Sequence, residues 1–162
     1  MLPITRILCP TDFSDPAGLA LTKAAELACH FEAELCVVHI VPQVPRPTWA
    51  LQFAEDKEYY EVELAKYEKD LYGSSERQLG AILTQFASPG LRARAIVTLG
   101  TNAADEIIRI ADEEKVDLIV IATHGFTGWR HLVFGSVTEK VVRLADCPVL
   151  TIRAASTGAN TK

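Results

Sequence analysis

Short, mostly apolar segments alternate along this chain with longer segments in which apolar residues recur every three to four positions. The short segments predict β-strands at residues 6–9, 34–41, 92–99, 117–122 and 147–153. The longer segments predict helices at residues 14–31, 55–86, 103–114 and 136–145, the second with a candidate break at Gly73-Ser74. Strands that alternate with helices predict an α/β fold with a mainly parallel sheet and helices on both faces.

The order of the strands follows from where the polar loops fall. The second strand is almost wholly apolar and is predicted to be central, whereas the third alternates polar and apolar residues as an edge strand does. The loops best suited to a polar ligand follow the first strand, at Pro10-Thr11-Asp12, and the fourth, at residues 123–134. Ligands of open α/β sheets bind where the strand order reverses, so these two strands should be neighbours. We therefore predict an open, Rossmann-like sheet of five strands in the order 3-2-1-4-5.

Composition narrows the class of protein. The length of 162 residues favours one domain, which we place at residues 1–153, with a disordered tail at 154–162. A net charge of −5 argues against nucleic acid as a partner, and no apolar run is long enough to cross a membrane. The four cysteines have no metal-like spacing, and nothing resembles a secretory signal, so we expect a cytoplasmic protein that has no disulfides and no metal-ligating residues of its own.

Glycines and one serine between the fourth strand and the last helix predict a phosphate site. Gly125, Gly128, Gly135 and Ser136 cluster there. Glycine permits close approach of a ligand to the backbone, and the first N–H groups of a helix attract an anion. The alternative is an ordinary loop with turn glycines. Neither GxxxxGK[ST] nor GxGxxG after the first strand is present, which argues against a kinase or P-loop NTPase.

Three further groups of residues have two interpretations each. Asp12 could accept hydrogen bonds from a ribose diol, or it could stabilise its own turn. His39 lies in an apolar strand, where a hydrogen-bonded core histidine is more typical than a catalytic or metal-binding one. His124 could contact phosphate or fix its loop. No Ser-His-Asp triad is indicated, so no catalytic residue is assigned. The aromatic residues of the proline-rich insertion predict a lid packed on the sheet, or else a partner surface; they are Trp49, Phe53, Tyr59 and Tyr60.

Four segments together resemble a known family. They are residues 7–14, residues 38–41, the tract Ala122-Thr-His-Gly125 followed after nine residues by Gly135-Ser136, and residues 147–152. In this combination the chain resembles the universal stress proteins, specifically their ATP-binding branch, whose signature is G-x2-G-x9-G-[ST]. The resemblance covers residues 4–153 and implies the same sheet order. One position departs from the signature, because its first glycine is Ala122 here, whose methyl group narrows the space beside a ribose.

The resemblance also implies a role for each matching residue. Asp12 would bind ribose, and the backbone of Ile40 would meet adenine. The nucleoside pocket would be lined by Pro10, Thr11, Ile121 and Ala122. The phosphates would be held by Gly125, Gly135, Ser136 and Val137, with His124 and Thr138 nearby. The ligand would be ATP, ADP or AMP, and Mg²⁺ could arrive with its phosphates.

Function is expected to be regulatory rather than catalytic. The resemblance implies a homodimer formed through the last strand, where Val149, Leu150 and Ile152 suit antiparallel pairing of an edge. The leading hypothesis is an ATP-binding stress-response protein that acts as a dimeric switch or adaptor towards an unknown protein partner. Two alternatives stay open: a slow ATP hydrolase, using residues among His124, Thr127, Arg130 and His131, and a nucleotide-free scaffold.

Overall fold

The computed structural model describes residues 3–44, 57–123 and 135–153 of the chain. Five strands and four helices alternate along these residues. In chain order they are β1 (Arg6–Pro10), α1 (Asp15–Phe31), β2 (Glu34–Pro42), α2 (Lys57–Phe86), β3 (Arg92–Gly100), α3 (Ala103–Glu113), β4 (Leu118–Ala122), α4 (Ser136–Leu144) and β5 (Val149–Ile152). The predicted tail at residues 154–162 lies outside the described residues.

The strands form one sheet in the order β3-β2-β1-β4-β5, and every neighbouring pair is parallel. This confirms the predicted order. The apolar strand β2 is interior and the alternating strand β3 is an edge, as their patterns indicate. The chain adds β2 and β3 on one side of β1 and then adds β4 and β5 on the other side. The strand order therefore reverses between β1 and β4. The carboxyl ends of β1 and β4 therefore flank a crevice.

Each face of the sheet is covered by two helices. Side chains of β1 and β2 alternate between the faces, so that Ile7 and Leu35 pack with α1 and with Leu79 of α2, whereas Leu8 and Cys36 pack with α3 and α4. Alanines at positions 20, 24 and 28 give α1 a small-residue face on the sheet. All these residues are buried, which explains why the interior strands contain almost no polar residues.

The amino end of the sheet is closed by a network of charged side chains. Glu34 accepts hydrogen bonds from Arg6 at 2.9 Å and from Arg94 at 3.0 Å, and Arg94 also pairs with Glu114. Burial acts to raise the pKa of Glu34, but the hydrogen bonds and charges of the two arginines outweigh it and lower that pKa. Four residues that are far apart in the chain thus satisfy one another across β1, β2 and β3.

Asp117 closes the same end on the other side of β1. Its Oδ2 accepts hydrogen bonds from the Thr5 N–H at 2.7 Å, the Thr5 hydroxyl at 2.7 Å and the Arg6 N–H at 2.9 Å. Burial acts to raise its pKa, and these hydrogen bonds outweigh burial and lower it. Asp117 was predicted to begin the fourth strand, but its side chain ties the start of β1 and the strand itself begins at Leu118.

Helix α2 differs from its prediction in two ways. It continues unbroken through Gly73-Ser74, because Ser75 and Leu79 are buried and the Tyr72 hydroxyl donates to the Val97 carbonyl at 2.9 Å. Packing against the sheet therefore outweighs the low helix propensity of glycine. Tyr59 and Tyr60 are exposed, at 66% and 36%, and neither belongs to the apolar clusters that cover the sheet. Trp49 and Phe53 lie outside the described residues.

The last strand is shorter than predicted, because only residues 149–152 pair with β4. None of the described helices combines the length and the apolar character required to span a bilayer.

Candidate functional site

A cavity of about 340 Å³ opens at the carboxyl ends of β1 and β4, where the strand order reverses. Every predicted site residue that the structure describes lines it: Pro10, Thr11, Asp12, Ile40, Ile121, Ala122, Gly135, Ser136, Val137 and Thr138. His124, Gly125 and Gly128 lie outside the described residues. The lining also contains residues that the sequence did not single out for this site: Ala17, His39, Ala103 and Ile107.

The loop between β1 and α1 is held by hydrogen bonds to its own groups and to β2. The Thr11 N–H donates to the Val38 carbonyl at 2.8 Å, and the Phe13 N–H donates to the Thr11 hydroxyl at 3.1 Å. Asp12 Oδ1 accepts from the Ser14 N–H at 3.1 Å and from the Ser14 hydroxyl. Ser14 in turn caps α1 by accepting from the Ala17 N–H. Asp12 therefore stabilises its own turn while it lines the cavity, so its two interpretations are compatible.

His39 reaches this loop from β2. Its Nδ1 lies 2.8 Å from the Thr11 carbonyl oxygen, and its ring centroid is 4.2 Å from that of Phe13. The side chain is half-buried and hydrogen-bonded, as expected of a core histidine, but it also borders the cavity. Its position at the carboxyl end of a central strand, next to the strand that leads into the Asp12 loop, is the signal in the sequence that would have placed it there.

The opposite side of the cavity is the N-terminus of α4. Gly135 is its N-cap, in an extended conformation, and no described side chain caps the helix. By contrast, α1 is capped by Ser14, and α3 by the Asn102 side chain, which accepts from the N–H groups of Ala104 and Asp105. The first backbone N–H groups of α4 therefore border the cavity without a side-chain cap from the described residues, an arrangement that favours an anion.

Two hydrogen bonds fix the start of α4 against β4. The Gly135 N–H donates to the Thr123 carbonyl at 2.7 Å, and the Thr138 hydroxyl donates to the Ala122 carbonyl at 2.7 Å. The Thr138 hydroxyl proton is therefore used within the protein, which makes Thr138 a residue that positions the helix. A Cβ added to Gly135 would lie 3.5 Å from the Thr123 carbonyl, an ordinary contact. The fold therefore leaves room for a side chain at position 135.

Between these two sides the cavity wall is mostly apolar. Ile40, Ile107 and Ile121 contribute to it, and the titratable side chains among the described lining residues are Asp12 and His39. Within the described parts of the chain, no three His, Cys, Asp or Glu side chains are grouped to hold a metal ion. An apolar wall with a carboxylate loop on one side and a helix N-terminus on the other suits a ligand that has an apolar part, hydroxyl groups and an anionic end.

The fold and this cavity define an open, doubly wound α/β protein with a cavity at its switch point. The sequence model of the Universal stress protein family matches residues 3–153, and the chain belongs to that family. It is 28% identical over 156 residues to universal stress protein MJ0577 of Methanocaldococcus jannaschii, covering 91% of this chain and 94% of the relative. Universal stress protein MJ0531 of the same organism is 32% identical over 151 residues, covering 91% and 81%.

Solved structures share the fold. Universal stress protein UspA from Lactobacillus plantarum superposes with a TM-score of 0.79 at 24% identity, covering 94% of this chain and all of that one. The universal stress protein of Archaeoglobus fulgidus in complex with dAMP has a TM-score of 0.56 at 23% identity, with coverages of 93% and 99%. A universal stress protein in complex with cAMP has a TM-score of 0.58 at 18% identity, with coverages of 94% and 98%.

Proposed function

We propose that this protein binds an adenine nucleotide in the switch-point cavity and acts as a nucleotide-dependent regulatory protein in the stress response. The observation that carries the proposal is the pairing of two features across one cavity: the Asp12 loop on one side and the start of α4, without a described side-chain cap, on the other. A volume of about 340 Å³ lies within the range of small-molecule sites. Two structural neighbours, solved with dAMP and with cAMP, support the choice of adenine.

The proposed ligand is ATP, with ADP and AMP as the shorter forms of the same nucleotide. Asp12 accepts hydrogen bonds from the ribose, and the backbone of Ile40 meets the base. The N–H groups of Ser136 and Val137 take phosphate oxygens, assisted by His124, Gly125 and Gly128. Mg²⁺, which needs only one or two protein carboxylates, arrives with the phosphates.

The proposed assembly is a homodimer through β5 in the cytoplasm. Strand β5 is an edge of the sheet, and Leu150 on it is 39% exposed, so pairing with a second copy would cover apolar surface and satisfy the edge. All four cysteines are free thiols, which is typical of proteins in a reducing compartment. A protein partner that distinguishes the nucleotide-bound form would complete the switch.

Calorimetric titration with ATP tests the proposal directly, with Gly135→Glu as the disruptive variant and Gly135→Ala as its matched control. The glutamate places a negative charge where the phosphates bind, so we expect loss of measurable binding. The alanine adds only an ordinary contact at 3.5 Å and should keep the fold and most of the affinity. Wild-type protein that binds no ATP at millimolar nucleotide, or a Gly135→Glu variant with unchanged affinity, would contradict the proposal.

The two other hypotheses are separated by two measurements. Mass spectrometry of the small molecules released from freshly purified, denatured protein should detect an adenine nucleotide, which would count against a nucleotide-free scaffold. Phosphate release that disappears in His124→Ala or Arg130→Ala variants would support a hydrolase instead. These two residues lie outside the described residues, so the hydrolase rests on the sequence alone.

A further inference from the structure

The hydrogen bonds of the sheet determine which backbone groups of β2 face β1. The Glu34 N–H donates to the Thr5 carbonyl, and the Thr11 N–H donates to the Val38 carbonyl, both at 2.8 Å. Even-numbered residues of β2 therefore direct their backbone groups towards β1. The Gln43 N–H, which is odd-numbered, donates to Gly100 at the end of β3. By this alternation the Ile40 N–H faces the side of β1, and its partner in a continued ladder would be the Thr11 carbonyl.

The side chain of His39 occupies that carbonyl instead. Its Nδ1 is 2.8 Å from the Thr11 oxygen. Because a carbonyl oxygen only accepts, the proton of this hydrogen bond belongs to Nδ1. The pairing of β1 with β2 ends at Pro10 and Val38, and no backbone hydrogen bond joins Ile40 to Thr11 in the described structure. Ile40 lines the cavity, and among the described residues its N–H has no partner in this ladder at the place where a base is proposed to bind.

The same imidazole supports the loop that carries Asp12. Phe13 has a φ of 65°, a left-handed conformation that is unfavourable for a residue other than glycine. This conformation is held because the Phe13 N–H bonds to the Thr11 hydroxyl and its ring lies against His39. Thr11 is therefore fixed from β2 through both of its backbone groups, by Val38 and by His39, and Asp12 follows it directly.

We infer that His39 is a positioning residue for the nucleoside half of the cavity. Its Nδ1–H ends the β1–β2 ladder one step early, which leaves the Ile40 N–H for a base acceptor and holds the Asp12 carboxylate for ribose hydroxyls. The phosphate half, at the start of α4, is built on β4 and does not depend on His39. This inference rests on the proposed nucleotide binding, and it predicts that the two halves respond differently to a change at position 39.

The test compares two nearly isosteric variants. His39→Asn keeps an N–H donor bonded to Cγ, as Nδ1 is in histidine. His39→Leu removes this donor. The probes are ATP and inorganic tripolyphosphate, titrated by calorimetry. His39→Leu loses the hydrogen bond that is inferred to position the Ile40 N–H and the Asp12 carboxylate. ATP binding should therefore weaken about tenfold in this variant. Binding of tripolyphosphate should be unchanged, and His39→Asn should recover most of the ATP affinity.

The outcomes separate the inference from the proposed function. Equal weakening of ATP and tripolyphosphate in His39→Leu would indicate a general loosening and would overturn the positioning role, as would unchanged ATP affinity. Failure of the wild-type protein to bind ATP would overturn the proposed function and this inference together. Long-range ¹⁵N–¹H NMR on the nucleotide-free protein supplies an independent readout: a proton on Nδ1 is expected, and a ring protonated at Nε2 alone would contradict the hydrogen bond to Thr11.

Discussion

The two ends of the parallel sheet use polar residues in different ways. At the amino end, Arg6, Glu34, Arg94 and Glu114 satisfy one another, and Asp117 accepts three hydrogen bonds from the start of β1. At the carboxyl end, the start of α4 has no cap from any described side chain and borders a cavity. Polar groups that the protein satisfies itself contribute to stability, whereas donors left at a cavity are available to a ligand.

If this contrast is correct, mutations at the amino end should change stability alone. The largest effect is expected for Asp117→Ala, which leaves two backbone N–H groups and the Thr5 hydroxyl without their acceptor. Hydrogen bonds to a charged group contribute about 1.5–3 kcal/mol, so we expect the free energy of unfolding to fall by about 2 kcal/mol. Urea denaturation followed by circular dichroism measures it.

Asp117→Asn is the control for this prediction, because it keeps one oxygen as an acceptor and should lose less stability than the alanine variant. The ATP affinity of both variants should equal that of the wild-type protein. If Asp117→Ala lost ATP affinity under conditions in which the variant is fully folded, the two ends of the sheet would be coupled. That result would contradict the division described above.

A second prediction converts the carboxyl end into the kind of helix start that the protein uses elsewhere. Gly135→Asp introduces a side chain that can cap α4 as Asn102 caps α3. Its carboxylate competes with phosphate for the same N–H groups and repels it, so ATP affinity should fall at least about tenfold. The nucleotide-free variant should be as stable as the wild-type protein or a few tenths of a kcal/mol more so, because aspartate is a slightly better N-cap than glycine.

Calorimetry and thermal unfolding of the same samples measure both quantities. Gly135→Ala serves again as the control, since it adds a Cβ without a cap or a charge. If Gly135→Asp bound ATP as the wild-type protein does, the start of α4 would not be the phosphate site.

The sequence was sufficient to predict the sheet order and the place of the cavity, because both follow from local patterns. Apolar strands mark the interior of the sheet, and polar loops after the first and fourth strands mark the switch point. The ion pairs at the amino end could not be predicted in this way. Glu34 meets Arg94 only because residues 34–42 pair with residues 92–100 in one particular register, which no single segment specifies.

The same limit applies within the site. The apolar strand around His39 predicts a hydrogen-bonded core histidine but does not identify its partner. The hydrogen bond to Thr11 depends on where the β1–β2 ladder ends. The continuity of α2 through Gly73-Ser74 depends on contacts with the sheet from Tyr72, Ser75 and Leu79. In both cases tertiary contacts decide the outcome, and a pattern along one segment does not record them.

The smallest effect is expected for Glu34→Gln, which keeps the shape of the side chain and removes its charge. Glu34 and its two arginines are each about one-third exposed, so solvent screening limits their contribution at neutral pH to about 1 kcal/mol or less. The arginines lower the pKa of Glu34 from its ordinary value of 4.5 in the folded protein. The unfolded chain therefore takes up this proton at higher pH than the folded protein does. The contribution of Glu34 is present above pH 4.5 and is lost as the pH falls through the lowered pKa of the folded state.

The stability difference between the wild-type protein and Glu34→Gln should therefore shrink as the pH is lowered from 7 to about 3, measured by urea denaturation across that range. Glu26→Gln is the control, because the pair of Glu26 with Lys23 lies on exposed α1 surface, with side chains 59% and 47% accessible, and should contribute little at any pH. A difference for Glu34→Gln that stayed constant with pH would show that the arginines hold the side chain by shape and hydrogen bonding alone. The charge of Glu34 would then make no net contribution to the free energy of unfolding.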